Sequence, residues 1–210
     1  MAMVSEIKEF RGLTSISLDG SVWLRVCRKH FAKLPLQEGD YIDPEQYADR
    51  MAALQLSDCY EAGLTILDQA ACTRGDMRRK LMRKGYVEAA AAATVDRLAE
   101  IGLLDDARYA ERLAQSQLKK PVGAYAVKRK LRAKYLSEEA VEAAMEGFDD
   151  DQQTAACKSA AEKLYRKYAV LPPREGRAKL SQALARRGFC WDAISSAVEE
   201  VIAGWDDFEE

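Results

Sequence analysis

Three short basic segments of one design constrain this chain more than anything else in it: RRKLMRKGY at 78–86, KRKLRAKYL at 128–136 and SQALARRGF at 181–189. Aligned, they put Leu81, Leu131 and Leu184 in register, 50 and 53 residues apart. Each is flanked by apolar residues at helical spacing. Ahead of the first, Tyr60, Leu64, Leu67 and Ala71 step by four, three and four; behind it, Val87, Ala91, Val95 and Leu98 predict a helix ending near Gly102. The second round runs through Tyr109 and Leu113 to a stop before Pro121, then Val127, Leu131 and Tyr135, then Val141, Met145 and Phe148. The third has Leu164 and Tyr168, a break at Pro172-Pro173, Leu180 and Leu184, and finally Ile194, Val198 and Val201. Thr73-x-x-Asp76 and Ser137 have the chemistry of helix N-caps. The expected fold class is mainly α, with tandem three-helix, helix-turn-helix-like repeats. Units of this size cannot bury an apolar stripe alone and must pack on one another, so an elongated stack is expected.

The first fifty residues differ. In ISLDGSVWLRVC the turn-forming Asp19-Gly20 separates two short runs, and Val22, Leu24 and Val26 alternate with Trp23, Arg25 and Cys27, which predicts a small β-hairpin. Turns at Pro35, Gly39 and Pro44 follow, and a helix starts between Asp43 and Gln46. The expected division is a hairpin and linker region over 1–50, then repeats over 51–104, 105–150 and 151–210, the last ending in an acidic tail. Within the repeats, Gly85 and Gly188 sit where helix-ending turns need a left-handed residue, while the second copy has Tyr135 there. That substitution predicts a differently built turn in the middle unit.

Charge is distributed in blocks. The formal net charge is only −2, yet residues 119–134 carry seven basic and no acidic side chains, and 135–151 carry seven acidic and no basic ones. The stretch from Asp192 to Glu210 again lacks any Lys or Arg. Local potential, not net charge, governs encounter with a charged partner. Five cysteines without a CxxC pair predict reduced, partly buried thiols, and the single histidine, His30, predicts a solvated or structural role. No Gly-rich phosphate loop, HExxH or GxSxG pattern occurs, so neither an enzyme nor a cofactor is expected. Asp105-Asp106 could be a carboxylate pair, but negative charge at a helix start is stabilising without chemistry. No apolar run reaches membrane-spanning length and the N-terminus lacks a signal-peptide layout, which predicts a cytoplasmic chain without a membrane partner.

A basic helix face can simply be solvated. Taking Met77 and Leu81 as the buried direction places Arg79 and Arg83 roughly opposite, and Val127 and Leu131 do the same for Arg129 and Arg132. Arginine dominates these outward positions, and its planar fork suits phosphate and carboxylate better than a lysine does. The candidate contact set is Arg78, Arg79, Arg83 and Lys84 in the first copy, Lys119, Lys120, Lys128, Arg129 and Arg132 in the second, and Arg177, Lys179, Arg186 and Arg187 in the third. Among Tyr86, Tyr109, Tyr125, Tyr165 and Tyr168 core packing is expected, with Tyr125 as the exception because it lies off its helix's buried face.

Taken together, the triple unit, the LDG hairpin, IGLLDDARYAERL at 101–113, the Gly123, Val127 and Leu131 spacing and ALARRGF resemble the RecX family from about Ile16 to about Val201. These are bacterial regulatory proteins that bind and restrain the RecA recombinase. The resemblance implies a non-enzymatic, monomeric modulator of the RecA nucleoprotein filament that inhibits its extension, strand exchange, ATP turnover and the coprotease activity behind the SOS response. It also implies contact with single- or double-stranded DNA, which the pI of about 5.7 and the acidic tail oppose. A sequence-neutral DNA-binding helical-repeat protein, or a scaffold for an unrelated protein, are the alternative readings.

Overall fold

The computed structural model describes residues 1–118 and 120–206, with side chains up to residue 203. The chain divides into two compact units, Met1–Asp105 and Asp106–Glu210.

The first unit opens with a sheet. Strands β1 (Ala2–Phe10), β2 (Leu13–Leu18) and β3 (Ser21–Cys27) form an antiparallel meander, and the two-residue β4 (Tyr41–Ile42) pairs with Ala2 and Met3, giving the order β3-β2-β1-β4. The expected hairpin is thus the β2-β3 half of a larger sheet. Its turn has Asp19 and Gly20 both at positive φ (48° and 86°), the two-residue turn whose twist matches that of paired strands. Val4, Ile16 and Val26 point inward and are fully buried. A short helix, α1 (Arg28–Phe31), brings His30 into this core rather than into solvent: its Nε2 lies 2.8 Å from Asp58 Oδ2 and its ring tilts against Tyr86.

Helix α2 (Pro44–Gln69) starts where Asp43 accepts hydrogen bonds from the Glu45 and Gln46 amides, with proline at its first position. Its buried stripe is Tyr47, Met51, Gln55, Cys59, Gly63 and Ile66. The apolar series Tyr60, Leu64 and Leu67 lies on the neighbouring face, half-buried against the same core. The buried stripe differs from the expected one because its centre holds a glutamine and a glycine, which carry no apolar signal. At Gly63 a Cβ would stand 2.9 Å from Leu98 Cδ1, so α2 meets the helix that carries Leu98 where only glycine fits without displacement. Helices α3 (Arg74–Arg83, capped by Thr73 accepting from Asp76 N–H) and α4 (Glu88–Glu100) complete the first repeat, and Met77, Leu81, Ala91, Val95 and Leu98 are all core.

The second unit holds two further three-helix sets. Helices α5 (Asp106–Leu118), α6 (Ala124–Arg132) and α7 (Glu138–Met145) bury Ala110, Val127, Leu131, Leu136, Val141 and Met145 in one cluster. Here too the buried face of the first helix is Ala110, Ala114 and Gln117, one position round from the expected Tyr109 and Leu113, which are half-buried. Tyr135 and Phe148 fall just past the ends of α6 and α7 rather than inside them. Helices α8 (Asp150–Tyr168), α9 (Pro173–Arg186) and α10 (Trp191–Asp206) gather Cys157, Leu180, Leu184, Phe189, Ile194, Val198 and Val201. Burying a leucine such as Leu81, Leu131 or Leu184 completely is worth roughly 2–5 kcal/mol against alanine.

All five cysteines are free thiols; burial pushes the Cys59 thiol up and that of Cys157 to about 11, which keeps both protonated and unreactive. No helix among the described residues is long and apolar enough to cross a membrane.

Candidate functional site

Each basic segment is the second half of a middle helix and the turn that follows it. In the first repeat α3 ends in a left-handed Gly85 (φ 88°), with Gly85 N–H donating to Met82 C=O and Tyr86 N–H to Leu81 C=O. The third repeat repeats this pair, from Gly188 N–H to Ala185 C=O and from Phe189 N–H to Leu184 C=O. Both are Schellman closures, in which the buried aromatic after the glycine packs back on the helix. The second repeat keeps the left-handed residue but only one of the two closing bonds, so the expectation of a differently built turn holds in part. Tyr135 itself is left-handed (φ 60°), its N–H donates to Arg132 C=O, and Leu136 takes the buried place of Tyr86 and Phe189.

What separates the copies is their surroundings. A Cβ at Gly85 would sit 2.5 Å from the Cys27 backbone nitrogen, and one at Gly188 would sit 2.2 Å from that of Ala126. Gly85 C=O accepts from Cys27 N–H at 3.0 Å and from the Gln55 side-chain amide at 2.9 Å, while Gln55 Oε1 accepts from Val87 N–H at 2.7 Å. One buried glutamine therefore clamps both sides of the first turn. Gly188 C=O accepts from Tyr125 N–H at 3.1 Å, Arg187 C=O from Gly123 N–H at 2.9 Å, and Gln153 Oε1 from Ala124 N–H at 2.9 Å. The third turn thus satisfies the open amides at the start of α6, which has no side-chain cap of its own. The Tyr135 side chain, by contrast, is 46% exposed.

The basic side chains follow from this frame. Cations in the last turns of α3 (Lys80, Arg83), α6 (Arg129, Lys130, Arg132) and α9 (Arg186) complement the helix dipole, a benefit that needs no partner. In every repeat one arginine also reaches from the middle helix to a glutamate at or on the third: Arg78 to Glu88, Arg132 to Glu138, and Arg177 to Glu199 at 3.3 Å. The Arg132 fork grips Glu138 through two bonds of 2.7 Å, which raises the guanidinium pKa and holds the Glu138 carboxyl below its usual value. Lys179 pairs with Glu175 one turn away. All four pairs are exposed, where solvent screens such contacts and they exchange readily for another anion.

Of the remaining candidates, Arg79, Arg83, Lys84, Lys120, Arg129 and Arg186 are exposed, and Lys128 and Arg187 half-buried. Lys119 lies outside the described residues, as do residues 207–210 of the acidic tail. Tyr125 is 66% exposed at the start of α6, unlike Tyr86, which is core. Arg83 and Lys84 are brought together with Lys80 around a cavity of about 290 Å³ floored by Ile66 and Ala70. A second cavity, of about 420 Å³, joins Arg177 to Arg174 and to Trp191, two residues that sequence reasoning passed over. Helical period alone puts Trp191 in line with Ile194, Val198 and Val201, hence in the core. It stands instead at the first position of α10, before that helix is covered, and is 70% exposed. No group of side chains among the described residues could hold a metal ion.

Comparison with known proteins agrees with the repeat architecture. Residues 59–98, 105–145 and 150–198 match family models described as the first, second and third three-helix domains of RecX. The regulatory protein RecX of Chlorobaculum tepidum is 32% identical over 147 residues, spanning 70% of this chain and 89% of that protein. That of Limosilactobacillus reuteri is 28% identical over 205 residues, spanning 96% of this chain and 78% of its own. Among solved structures, a regulatory protein RecX superposes with a TM-score of 0.63 at 26% identity over 97% of this chain and all of its own. The RecX structure from Lactobacillus salivarius gives the same score and identity over 72% of this chain. Three consecutive domain matches in the family's order, on a fold built of three Leu-anchored helix-turn-helix units, place this chain in the RecX family of regulatory proteins.

Proposed function

We propose that the protein is a non-enzymatic regulator that binds the RecA nucleoprotein filament, blocks its extension, and so lowers strand exchange, ATP turnover and coprotease activity. The observation that carries this reading is the match of all three repeats, in order, to the domains of RecX. The contact surface consists of the exposed and half-buried cations on the middle helices and their turns: Arg79, Arg83 and Lys84, then Lys128, Arg129 and Arg132, then Arg186 and Arg187. Arginine forks held on rigid helix ends suit both phosphate and carboxylate acceptors, and the weak internal pairs of Arg78, Arg132 and Arg177 are exchangeable for them. The acidic blocks disfavour free polyanion and leave a shaped, mixed-charge filament surface as the better partner.

Titration into RecA assembled on single-stranded DNA tests this directly. ATP hydrolysis and strand exchange should both fall at protein amounts well below equimolar with RecA. Unchanged rates across the titration, with RecA otherwise active, would reject the proposal. Reversing Arg79, Arg83, Arg129 and Arg132 together to glutamate should weaken filament binding while leaving the fold intact; tight binding by that variant would place the contact surface elsewhere.

A further inference from the structure

Of the five free thiols, none belongs to the contact surface proposed above, and two converge in the third repeat. Cys157 lies on the buried stripe of α8, one turn beyond Gln153, and is fully buried. Cys190 is half-buried, packs against the same apolar cluster, and immediately precedes α10, where its C=O accepts from Ile194 N–H at 3.1 Å. The backbone brings both to one corner of the unit. Arg187 and Gly188 carbonyls hold the Gly123 and Tyr125 amides, and the Gln153 side chain holds the Ala124 amide between them. Three consecutive amides therefore join the front of α8 to the turn that leads into Cys190. Cys157 stands one helical turn past this junction on α8, and Cys190 two residues past it from Gly188. Burial first, and then the nearby Cys190, raise the Cys157 thiol to about 11.

We infer that Cys157 and Cys190 form a peroxide-sensitive dithiol, in which Cys190 is oxidised first and Cys157 converts the product to a disulfide that encloses α9. The order follows from exposure. A hydroperoxide arriving from solution meets the half-buried thiol before the buried one. The Cys190 sulfur attacks the peroxide: an S–O bond forms, the O–O bond breaks, and the alcohol, or water from hydrogen peroxide, leaves with the thiol proton. The Cys157 sulfur then attacks the Cys190 sulfur. An S–S bond forms, the S–O bond breaks, and the hydroxyl leaves as water with the Cys157 proton. The two thiols have together lost two hydrogens and two electrons, and the hydroperoxide has become an alcohol and water. A protonated, enclosed thiol is inert toward solutes, but a sulfur held in the same cluster replaces a rare collision by a standing contact. Without that neighbour, Cys190 would climb irreversibly to the sulfinic acid. The bond fastens the start of α10 to α8 beside the Gly188 turn, so the oxidised second unit should unfold at a higher urea concentration than the reduced one. This chemistry is independent of the partner proposed above.

The test uses the full chain, reduced, freed of reductant and exposed to hydrogen peroxide. Remaining thiols are alkylated, and peptides are mapped by mass spectrometry without reduction. A linked pair carrying Cys157 and Cys190 is expected, lighter by the lost hydrogens, in a yield independent of protein concentration and abolished by dithiothreitol. Cys157→Ala should lose the bridge and let dimedone trap Cys190 as the sulfenic acid. Cys190→Ser should lose the bridge and leave Cys157 a thiol. Where Cys157→Ala does not fold, the parent and Cys190→Ser decide the matter on their own. An unoxidised Cys190, its direct passage to the sulfinic acid in the parent, bridges between chains, or pairing of Cys190 with Cys27 would each overturn the inference. So would a Cys157 to Cys190 bridge that forms only in urea or lowers the urea midpoint, since the folded chain would then not hold the two sulfurs in place.

Discussion

The first and third helix-turn-helix turns are closed by glycines pressed against neighbouring backbone, whereas the second is closed by a half-exposed tyrosine, and all three share one left-handed conformation. The comparison separates two reasons for glycine that usually coincide. A positive φ asks for glycine at a cost of about 1–2 kcal/mol per violation, which a well-packed unit can absorb. Absence of space for a Cβ is a harder demand, because the atoms in the way at Gly85 and Gly188 are backbone and cannot rotate aside. Tyr135 shows that the first demand alone does not exclude a large side chain.

The largest test of this difference is alanine at the glycine turns. Gly188→Ala and Gly85→Ala should each destabilise their own unit by about 3 kcal/mol or more, combining backbone displacement with the strained φ. Urea unfolding followed by circular dichroism measures this; a loss below about 1 kcal/mol would mean that the neighbouring chain yields easily and the close approach is unimportant. Next in size is the clamp on the first turn. Gln55→Leu keeps the volume but leaves Val87 N–H without its acceptor and Gly85 C=O with one donor fewer, and should cost about 1–3 kcal/mol. Smaller still is Tyr135→Gly, which relieves the strained φ but adds freedom to the unfolded chain; a net change within about 1 kcal/mol of the parent is expected. A loss as large as that of Gly188→Ala would show that the tyrosine ring, and not the turn, holds the second repeat.

The smallest effect expected is one of acid sensitivity. Asp58 is held below the usual aspartate value by its hydrogen bonds to Lys29 and then His30, and Glu138 by Arg132. A carboxylate with a lowered folded pKa contributes stability that is fully present above its unfolded pKa and is lost as pH falls through the lowered value. Both groups are largely solvated, so each slope is shallow. Asp58→Asn should flatten the acid-side decline of the first unit and Glu138→Gln that of the second; an unchanged pH profile in either variant would show that the pair makes no net contribution.

Much of this was legible in the sequence because the signals were local. Leucines in register, Thr73 and Ser137 at N-caps, and the Asp19-Gly20 turn each act within four residues, and each lies where its chemistry put it. The misses have physical causes. Strand β1 was hidden because its register shifts between Val4 and Glu6, which breaks the alternation that marks a strand, and β4 has only two residues. The first helices of the first and second repeats read one face off because their core stripes carry Gln55 and Gln117 among small residues; the third stripe also holds Gln153, but the expected Leu164 and Tyr168 do continue it. Those amides are buried for bonds to partners 13 to 32 residues distant, which no local period reveals. The outward direction of the arginines was readable from helical geometry, but their cross-helix carboxylate partners and the Trp191 groove depend on how helices pack.

The interlock of Gly123 with Gly188 bears on how such a protein can change over evolutionary time. Arrays of helical repeats commonly grow and shrink by duplication or loss of whole units, since each new unit offers the next the same surface. Here the third unit supplies the carbonyls that the start of α6 lacks, and two glycines leave room for only one geometry of approach. Excising the last repeat would strand the Gly123 and Tyr125 amides, and inserting a copy between the second and third would require both glycines to be matched anew. Loss or insertion of a repeat in the second unit would therefore break this contact, whereas substitutions on the exposed helix faces leave it untouched.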